Sequence, residues 1–565
     1  MADRRNARTA AIGHGAAPRR TGADPGGTDL FRLLGRGGRY IDPGLFNPGL
    51  FSWTPYNLRC MNIDPRQSTV DGILRRTAAR YPNRVALRFG DRQFTYRELD
   101  DSVTRAAAHL LSRGLRKGDR VAAYGTNSDA YAIGYLAAAR AGLVHVPINY
   151  ALRGEELSYL LGQSAAQAVL VDPALTDNLR QILADVPAET VVPLRDADGS
   201  LLSVARSGDI PTLDVPVADT DLVQLLYTSG TTSRPKGAMM THRALIFEYM
   251  SSIEALDLAA DDDPLVCMPL YHSAAMHVFL LPYFAVGATV RLLPAPDVAE
   301  ILRFVEEERV GSLFLAPTVW VPLANHPDLD TRDLSSLRKA QYGASIMPVT
   351  VLERLRSRYP ELGFYNCFGQ SEIGPLATVL RPEEHDARPA SCGRPVLFVE
   401  TRVVDADGND VPDGEPGEIL YRSPQLCLGY WDNQDATEEA FRDGWFHSGD
   451  LVTRDAEGFI TVVDRIKDVI NTGGILVASR EVEDAIYTHP AIAEVAVIGT
   501  PDEKWIEAVT AVVVLKDGHE LTQSELIDHV KQRLAPFKVP KAVRFVDALP
   551  RNQSGKLLKR ELRGS

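Results

Sequence analysis

Cysteine is scarce in this sequence: Cys60, Cys267, Cys367, Cys392 and Cys427 are all there are among 565 residues. Their number is odd, they are scattered, and no Cys-x-x-Cys pair occurs. That pattern argues against a disulfide framework or a structural zinc site and fits a reducing cytoplasm. Long hydrophobic runs are missing too. The longest, Met276 to Val290, is too short to span a bilayer and contains Pro282 and Gly287. The opening MADRRNARTAAIGHGAAPRRTGADPGG carries arginines but no apolar stretch, so it reads as a disordered tail and not as a secretory leader. Positive charge is in deficit, with 61 Lys and Arg against 74 Asp and Glu, a net charge of −13. A general nucleic-acid binder would show the opposite balance. Internal repeats are also lacking.

What is present is the balance of a soluble globular protein, 45% hydrophobic and 24% charged. At 565 residues the chain exceeds one ordinary core, so at least two domains are expected. Short β-branched runs alternate with Ala/Leu/Arg-rich amphipathic stretches. RVALRFGDRQFTYRELDDSVTRAAAHLLSRGL reads strand, turn, strand, helix, and DRVAAYGTNSDAYAIGYLAAARAGLVHVPIN reads strand, helix, strand. The alternation predicts an α/β architecture of helix-covered sheets. Near Val396 the texture changes to short strands with Asp-Gly turns, a small β-rich subdomain. From Ile466 a compact α+β unit follows. The expected boundaries are a flexible extension over 1–65, a large domain over 66–465 with its β-rich part at about 396–465, and a C-terminal domain over 466–565.

Residues Tyr227 to His242 read YTSGTTSRPKGAMMTH. Ser229, Thr231, Thr232 and Ser233 offer hydroxyl donors. Gly230 and Gly237 let backbone N–H groups approach an anion, and Lys236 adds a point charge. The composition suits a phosphate, although on composition alone a polar surface turn reads equally well. The common P-loop, GxxxxGK followed by Ser or Thr, is broken here: Pro235 precedes Lys236 and Gly237 follows it. A P-loop kinase or ATPase is therefore disfavoured. The strand LVQLLY is expected to enter this loop, and HRALIFEYMSSIEAL to leave it as a helix.

The run Thr228 to Gly237 resembles the phosphate loop of the adenylate-forming superfamily, which includes acyl-CoA synthetases, aryl-CoA ligases, luciferases and peptide-synthetase adenylation domains. It matches that pattern at every position, with Ser233 where Gly is more usual. Further segments resemble the family's in its order. From YNCFGQSEIGP the resemblance implies that Phe368, beside Gly369, stacks on adenine, that Ser371 contacts phosphate, and that Glu372 ligates magnesium. One carboxylate suffices beside a triphosphate, because a hard cation also takes phosphate oxygens. From QYGASIMP it implies that Gly343, Ala344 and Ser345 line the nucleotide, with Tyr342 and Gly343 against the acyl group. His272, in PLYHSAAMH, falls at the acyl gate, whereas His277 reads as core. Asp450 in FHSGDL matches the ribose ligand, and Arg465 in VVDRIKD a second ribose or phosphate contact. Lys556, in LPRNQSGKLLKREL, matches the catalytic lysine. Taken singly, most of these are more often solvated charges. Their shared order carries the resemblance, which spans roughly Ser68 to Arg563.

The resemblance implies an ATP- and Mg2+-dependent acid–thiol ligase in two half-reactions. A hydrophobic carboxylic acid becomes an acyl-adenylate with loss of pyrophosphate, and then a coenzyme A thioester. Between them the C-terminal domain is implied to rotate as a mobile lid, with Lys467 at the hinge and Gly473 and Gly474 lining a pantetheine tunnel. One departure stands out: Leu476 and Ala478 replace the Asn and Tyr usual in fatty acyl-CoA synthetases. The thiol acceptor is therefore left open between coenzyme A and an acyl carrier protein, and a non-catalytic nucleotide-binding regulator is a remoter reading. The acid is expected to be medium- to long-chain or bulky alicyclic, since no Asp is placed to hold an amino group. A cytoplasmic location is expected, with no nucleic acid, no transmembrane segment and an open oligomeric state.

Overall fold

The computed structural model of the protein describes residues 67–182, 190–228, 234–345, 347–473, 475–502, 504–551 and 557–563. The extension expected over 1–65 lies outside them, as do Ser229, Gly230, Thr231, Thr232, Ser233, Gly474 and Lys556.

The large domain rests on two helix-covered sheets. In the first, Thr190–Pro193, Ala168–Val171, Arg120–Tyr124, Val144–Ile148 and Leu222–Thr228 lie parallel in that order, and Lys236–Thr241 adds an antiparallel edge. Ala168–Val171 and Val144–Ile148 are buried at every position, the pattern of strands covered on both faces. One covering helix, Asp129–Arg140, is buried all round, so its sequence is apolar all round. Ser128 caps its start by accepting from Tyr131 N. At its end the buried Arg140 pairs with Asp71 at 2.6 Å and Asp100 at 2.5 Å, leaving no buried charge alone.

The second sheet has nine strands with a parallel centre: Val290–Leu292, Pro264–Val266, Ser312–Leu315, Lys339–Gly343 and Gly363–Phe368. Its order reverses at Pro264–Val266, whose neighbours both follow it in sequence. Ligands of such sheets bind beyond the carboxyl ends of the strands at a reversal point. The chain leaving that point is Cys267 to Ser273, which carries His272.

The β-rich subdomain pairs Glu400–Val404, Gly417–Arg422, Trp445–Arg454 and Ile460–Arg465 antiparallel. Its Asp-Gly turns form as expected: Asp405 Oδ1 accepts the Asp407 and Asn409 N–H groups at 2.9 Å each. The C-terminal part has its own sheet, built on the long hairpin Ile492–Asp502 and Ile506–Leu515, with the helices Ser479–Tyr487 and Gln523–Lys531 against it. Val482, Ile486, Val497, Val509, Leu526 and Val530 form its separate core. Among the described residues no helix is long and apolar enough to cross a membrane.

Candidate active site

The strand Leu222–Thr228 does not pass through the hydroxyl loop directly to a helix, as the sequence suggested. A second strand, Lys236–Thr241, intervenes, with Thr228 opposite Lys236 and Tyr227 opposite Gly237. Pro235 cannot donate to a ladder, so pairing resumes just after it. The helix His242–Ala255 then starts under a Thr241 cap. The other edge of the new strand takes a distant segment. Met239 N donates to Gly429 O at 2.9 Å, Leu428 N to Met239 O at 3.0 Å, and Trp431 N to Gly237 O at 2.8 Å. This edge pairing delivers Tyr430.

Four side chains then converge. Thr228 Oγ1 donates to Glu372 Oε1 at 3.1 Å, and the Tyr430 hydroxyl donates to the same oxygen at 3.0 Å. Lys236 Nζ lies 5.2 Å from the centre of the Tyr430 ring, a cation–π contact. Burial, and then the Glu372 charge, push the Tyr430 phenol well above its ordinary value, so it stays a donor. The turn carrying Glu372 is held from behind. Its carbonyl accepts Cys427 N at 2.8 Å, and Gln425 Nε2 donates to Glu248 at 2.6 Å and to Leu376 O at 3.1 Å. Ser371 Oγ meets Ser273 Oγ at 3.0 Å, which ties this turn to the chain that carries His272. Glu372 is the only carboxylate in the cluster. Among the described residues no group of three or more His, Cys, Asp or Glu is arranged to hold a metal. The donor set fits a hard cation completed by phosphate oxygens, not an all-protein cage.

The segments expected to line the nucleotide come together by close backbone approach. A Cβ on Gly343 would stand 2.3 Å from Cys367 O, and one on Gly369 would stand 2.0 Å from Pro375 O. Neither contact is tolerable, so these strands can approach only as glycine. Ala344 follows at φ +64, a conformation rare outside glycine, and it and Ser345 are exposed. Phe368 ends its strand beside them. Gln370 Nε2 donates to Asp450 Oδ2 at 2.6 Å, and Arg465 Nε pairs with Asp450 Oδ1 at 2.6 Å. Asp450 and Arg465 face each other across adjacent antiparallel strands. A ribose diol here would share the Asp450 carboxylate with both partners.

Tyr342 departs from expectation. Its side chain turns into the core with Leu313, Leu315 and Trp320, and its hydroxyl meets His385 Nε2 at 3.0 Å. Successive strand residues point to opposite faces, so the site meets Gln341 and Gly343 or their backbone, not the Tyr342 ring. His272 stacks at a tilt on Tyr271, 4.8 Å between centres. His277 is fully buried and bridges Tyr249 and Gln224, as a core residue does.

Lys467 lies in the turn Ile466–Asp468 that joins the two parts of the chain. Desolvation, and then Arg465, Arg563 and Arg560, hold its ammonium below the usual lysine range. The C-terminal helix Lys559–Arg563 clasps this turn: Arg563 donates to Lys467 O at 3.3 Å and pairs with Asp468 at 2.9 Å. Beside it, Asp464 accepts the Ser479 N–H at 2.6 Å and its hydroxyl at 2.7 Å. Gly473 sits at φ +64 with its N–H on Trp505 O at 2.6 Å. Gln370, Ser273 and Asp464 stand inside segments read from the sequence but carry no role there, and Tyr430 lies in none of those segments; the long-range pairings are what single them out.

The family model described as AMP-binding enzyme matches residues 74–431. The chain belongs to the AMP-binding enzyme family. The family's C-terminal domain matches residues 481–556. A feruloyl-CoA synthase from an Amycolatopsis species is 40% identical to this AMP-binding enzyme over 492 residues, covering 86% of this chain and 97% of that one. A medium/long-chain-fatty-acid–CoA ligase of Mycobacterium tuberculosis is 36% identical over 507 residues, covering 86% and 88%. The crystal structure of an anthranilate CoA ligase in complex with anthranoyl-AMP superposes with a TM-score of 0.82 at 26% identity, covering 88% and 97%. The relatives act on acids as different as an aromatic and a fatty one. The AMP-binding enzyme is thus a member of an adenylate-forming acid–CoA ligase family.

Proposed function

We propose that this AMP-binding enzyme activates a hydrophobic carboxylic acid with ATP and passes the acyl group to a thiol, coenzyme A in the first instance. The observation that carries the reading is the convergence of Thr228, Lys236, Tyr430 and Glu372 beside the hydroxyl loop. A carboxylate resists substitution because its leaving group would be oxide. Its oxygen therefore attacks the α-phosphate of ATP, the bond to the β-phosphate breaks, and pyrophosphate departs. The acyl-adenylate formed has AMP as a good leaving group. The thiol sulfur then attacks the acyl carbon, its proton leaves to solvent, and AMP is expelled.

The phosphoryl charge of the first step calls for positioned cations and donors. Lys236 and Lys556 supply charge, and the loop hydroxyls and Thr228 supply donors. Glu372 would hold magnesium, which neutralises phosphate charge when bound. Asp450 and Arg465 orient the ribose. Lys467 is the pivot that withdraws Lys556 for the second step, when Gly473 and Gly474 would reach the acyl carbon.

A carrier-protein thiol is the second reading of the acceptor. Ile475 and Leu476, in the segment assigned to the thiol channel, are exposed by 47% and 69%, and Ile506 nearby by 60%. Such an apolar strip suits a protein surface. The test is product analysis with purified enzyme, Mg-ATP and coenzyme A, scoring acyl-AMP and acyl-CoA separately over fatty, aryl and polycyclic acids. Acyl-CoA supports the reading as stated. Acyl-AMP alone moves the acceptor to a carrier protein, and no ATP–pyrophosphate exchange with any acid defeats both.

A further inference from the structure

We propose that a stacked pair of phenylalanines, Phe279 and Phe314, forms the floor of the acyl pocket and restricts this AMP-binding enzyme to compact acids, a single ring or a short chain. The inference rests on the ligase reading above and names its substrate class. The chain beyond His272 and Ser273 enters a helix that begins as a π-helical run, Ala274–Leu280, and continues as Leu281–Val286. Runs of this kind re-aim side chains and recur at functional sites. One face of it, Ala275, Phe279 and Tyr283, lies over the strands Pro264–Val266 and Ser312–Leu315. Helix and sheet thus define an apolar slot running away from the end that holds His272. An acyl chain passing His272 along this helix would run into it.

The slot is closed. Its free volume is 10 Å³, room for about one water molecule. What fills it is the pair of rings, stacked with centres 4.5 Å apart and planes 19° from parallel. Both rings are buried, at 3% and 8% exposure. Ala275, three residues after His272, lines the slot ahead of the rings with only a methyl group. Beyond them the slot turns polar. The Tyr283 hydroxyl meets Ser312 Oγ at 2.7 Å, Gln341 Nε2 donates to Ser312 at 3.0 Å, and Lys339 pairs with Asp262 at 2.8 Å. A hydrocarbon tail pushed that far would strand buried polar groups, which is a second barrier to length. A flat ring ending on the phenylalanine pair meets neither barrier and finds an aromatic edge to pack on.

The experiment measures pyrophosphate release per acid for a ladder of straight-chain acids and a set of one-ring acids. The enzymes are wild type, Phe279→Ala, Phe279→Leu and Phe314→Leu, each first shown to melt cooperatively. The leucine variants remove part of a ring and keep the core filled, so they answer if the alanine variant unfolds. Wild type is expected to favour one-ring or short acids over twelve-carbon and longer chains by about 10-fold or more in kcat/KM. The variants are expected to raise the long-to-ring ratio by about 10-fold. Wild-type turnover of long chains equal to the best ring acid would overturn the proposal. So would folded variants with an unshifted length profile, while exchange with some acid kept the ligase reading alive. Absence of exchange with every acid would remove the ligase reading, and this proposal with it.

Discussion

At the scale of single residues, the site depends on the two donors, Thr228 and Tyr430, that meet one oxygen of Glu372. Tyr430 is the residue whose removal separates geometry from charge. Tyr430→Phe keeps the ring under Lys236 and deletes one donor to a carboxylate, so adenylation is expected to fall by about 10-fold in ATP–pyrophosphate exchange. Unchanged exchange would exclude Tyr430 from the site. Lys556→Ala is expected to lower adenylation by about 100-fold or more, as loss of one transition-state donor does. It should leave thioester formation from supplied acyl-adenylate intact, and equal loss in both halves would sink the two-conformation scheme. Gly369→Ala tests backbone approach. With Pro375 O only 2.0 Å from the new methyl, the strand must shift, at a cost of about 1–3 kcal/mol in chemical denaturation.

At the scale of elements, the turn Ile466–Asp468 is the short joint between two separately cored parts, and the last helix holds it. The proposed rotation about Lys467 would strain or break the contact of Arg563 with the Lys467 carbonyl. Arg563 and Asp468 are partly exposed, so the clasp is worth about 0.2–1 kcal/mol, a few-fold in population. Arg563→Ala is accordingly expected to change the ratio of adenylation to thioesterification rates by up to about 5-fold in single-turnover assays of the two halves. Lys467→Pro should impair the second half selectively, because proline fixes the φ angle that a pivot must vary. If both halves fell together, the pivot would lie elsewhere.

At the scale of the whole molecule, the large domain keeps several neutral histidines in its interior. Burial pushes His145 and His277 down to about 3, and His242 and His385 to about 4. Gln224 bridges His145 and His277 at 2.9 and 2.6 Å. In the folded state these rings stay neutral, whereas unfolded histidine binds a proton below about 6.5. Each therefore contributes stability that is whole above pH 6.5 and is lost as pH falls toward the folded value. Glu248, raised by burial, works in the opposite sense and softens the slope. The imidazole signals of His145 and His277 are expected to remain in the neutral form from pH 7.5 to 5 by NMR. Titration of either near 6.5 would contradict its place in the core.

The sequence by itself determined the local elements and the order of the motifs. Strand and helix periodicities, the Asp-Gly turns after Val403 and the Thr228, Lys236, Glu372 and Asp450 segments are all local patterns. Each element is specified within a dozen residues by alternation, capping and turn chemistry. What only the tertiary structure decided are the long-range pairings. The strand Lys236–Thr241 hid inside a run that also reads as loop, because a six-residue strand carries little periodicity. Its far edge, where Tyr430 arrives 192 positions after Ala238 in the chain, is chosen by hydrogen bonds between distant backbones, which no local pattern encodes. The direction of Tyr342 follows from strand parity, and parity follows from which face of the sheet the domain buries. The phenylalanine floor likewise belongs to neither the helix nor the strand alone. It exists because packing brings Phe279 and Phe314 together, and the selectivity proposed for it is a property of that contact.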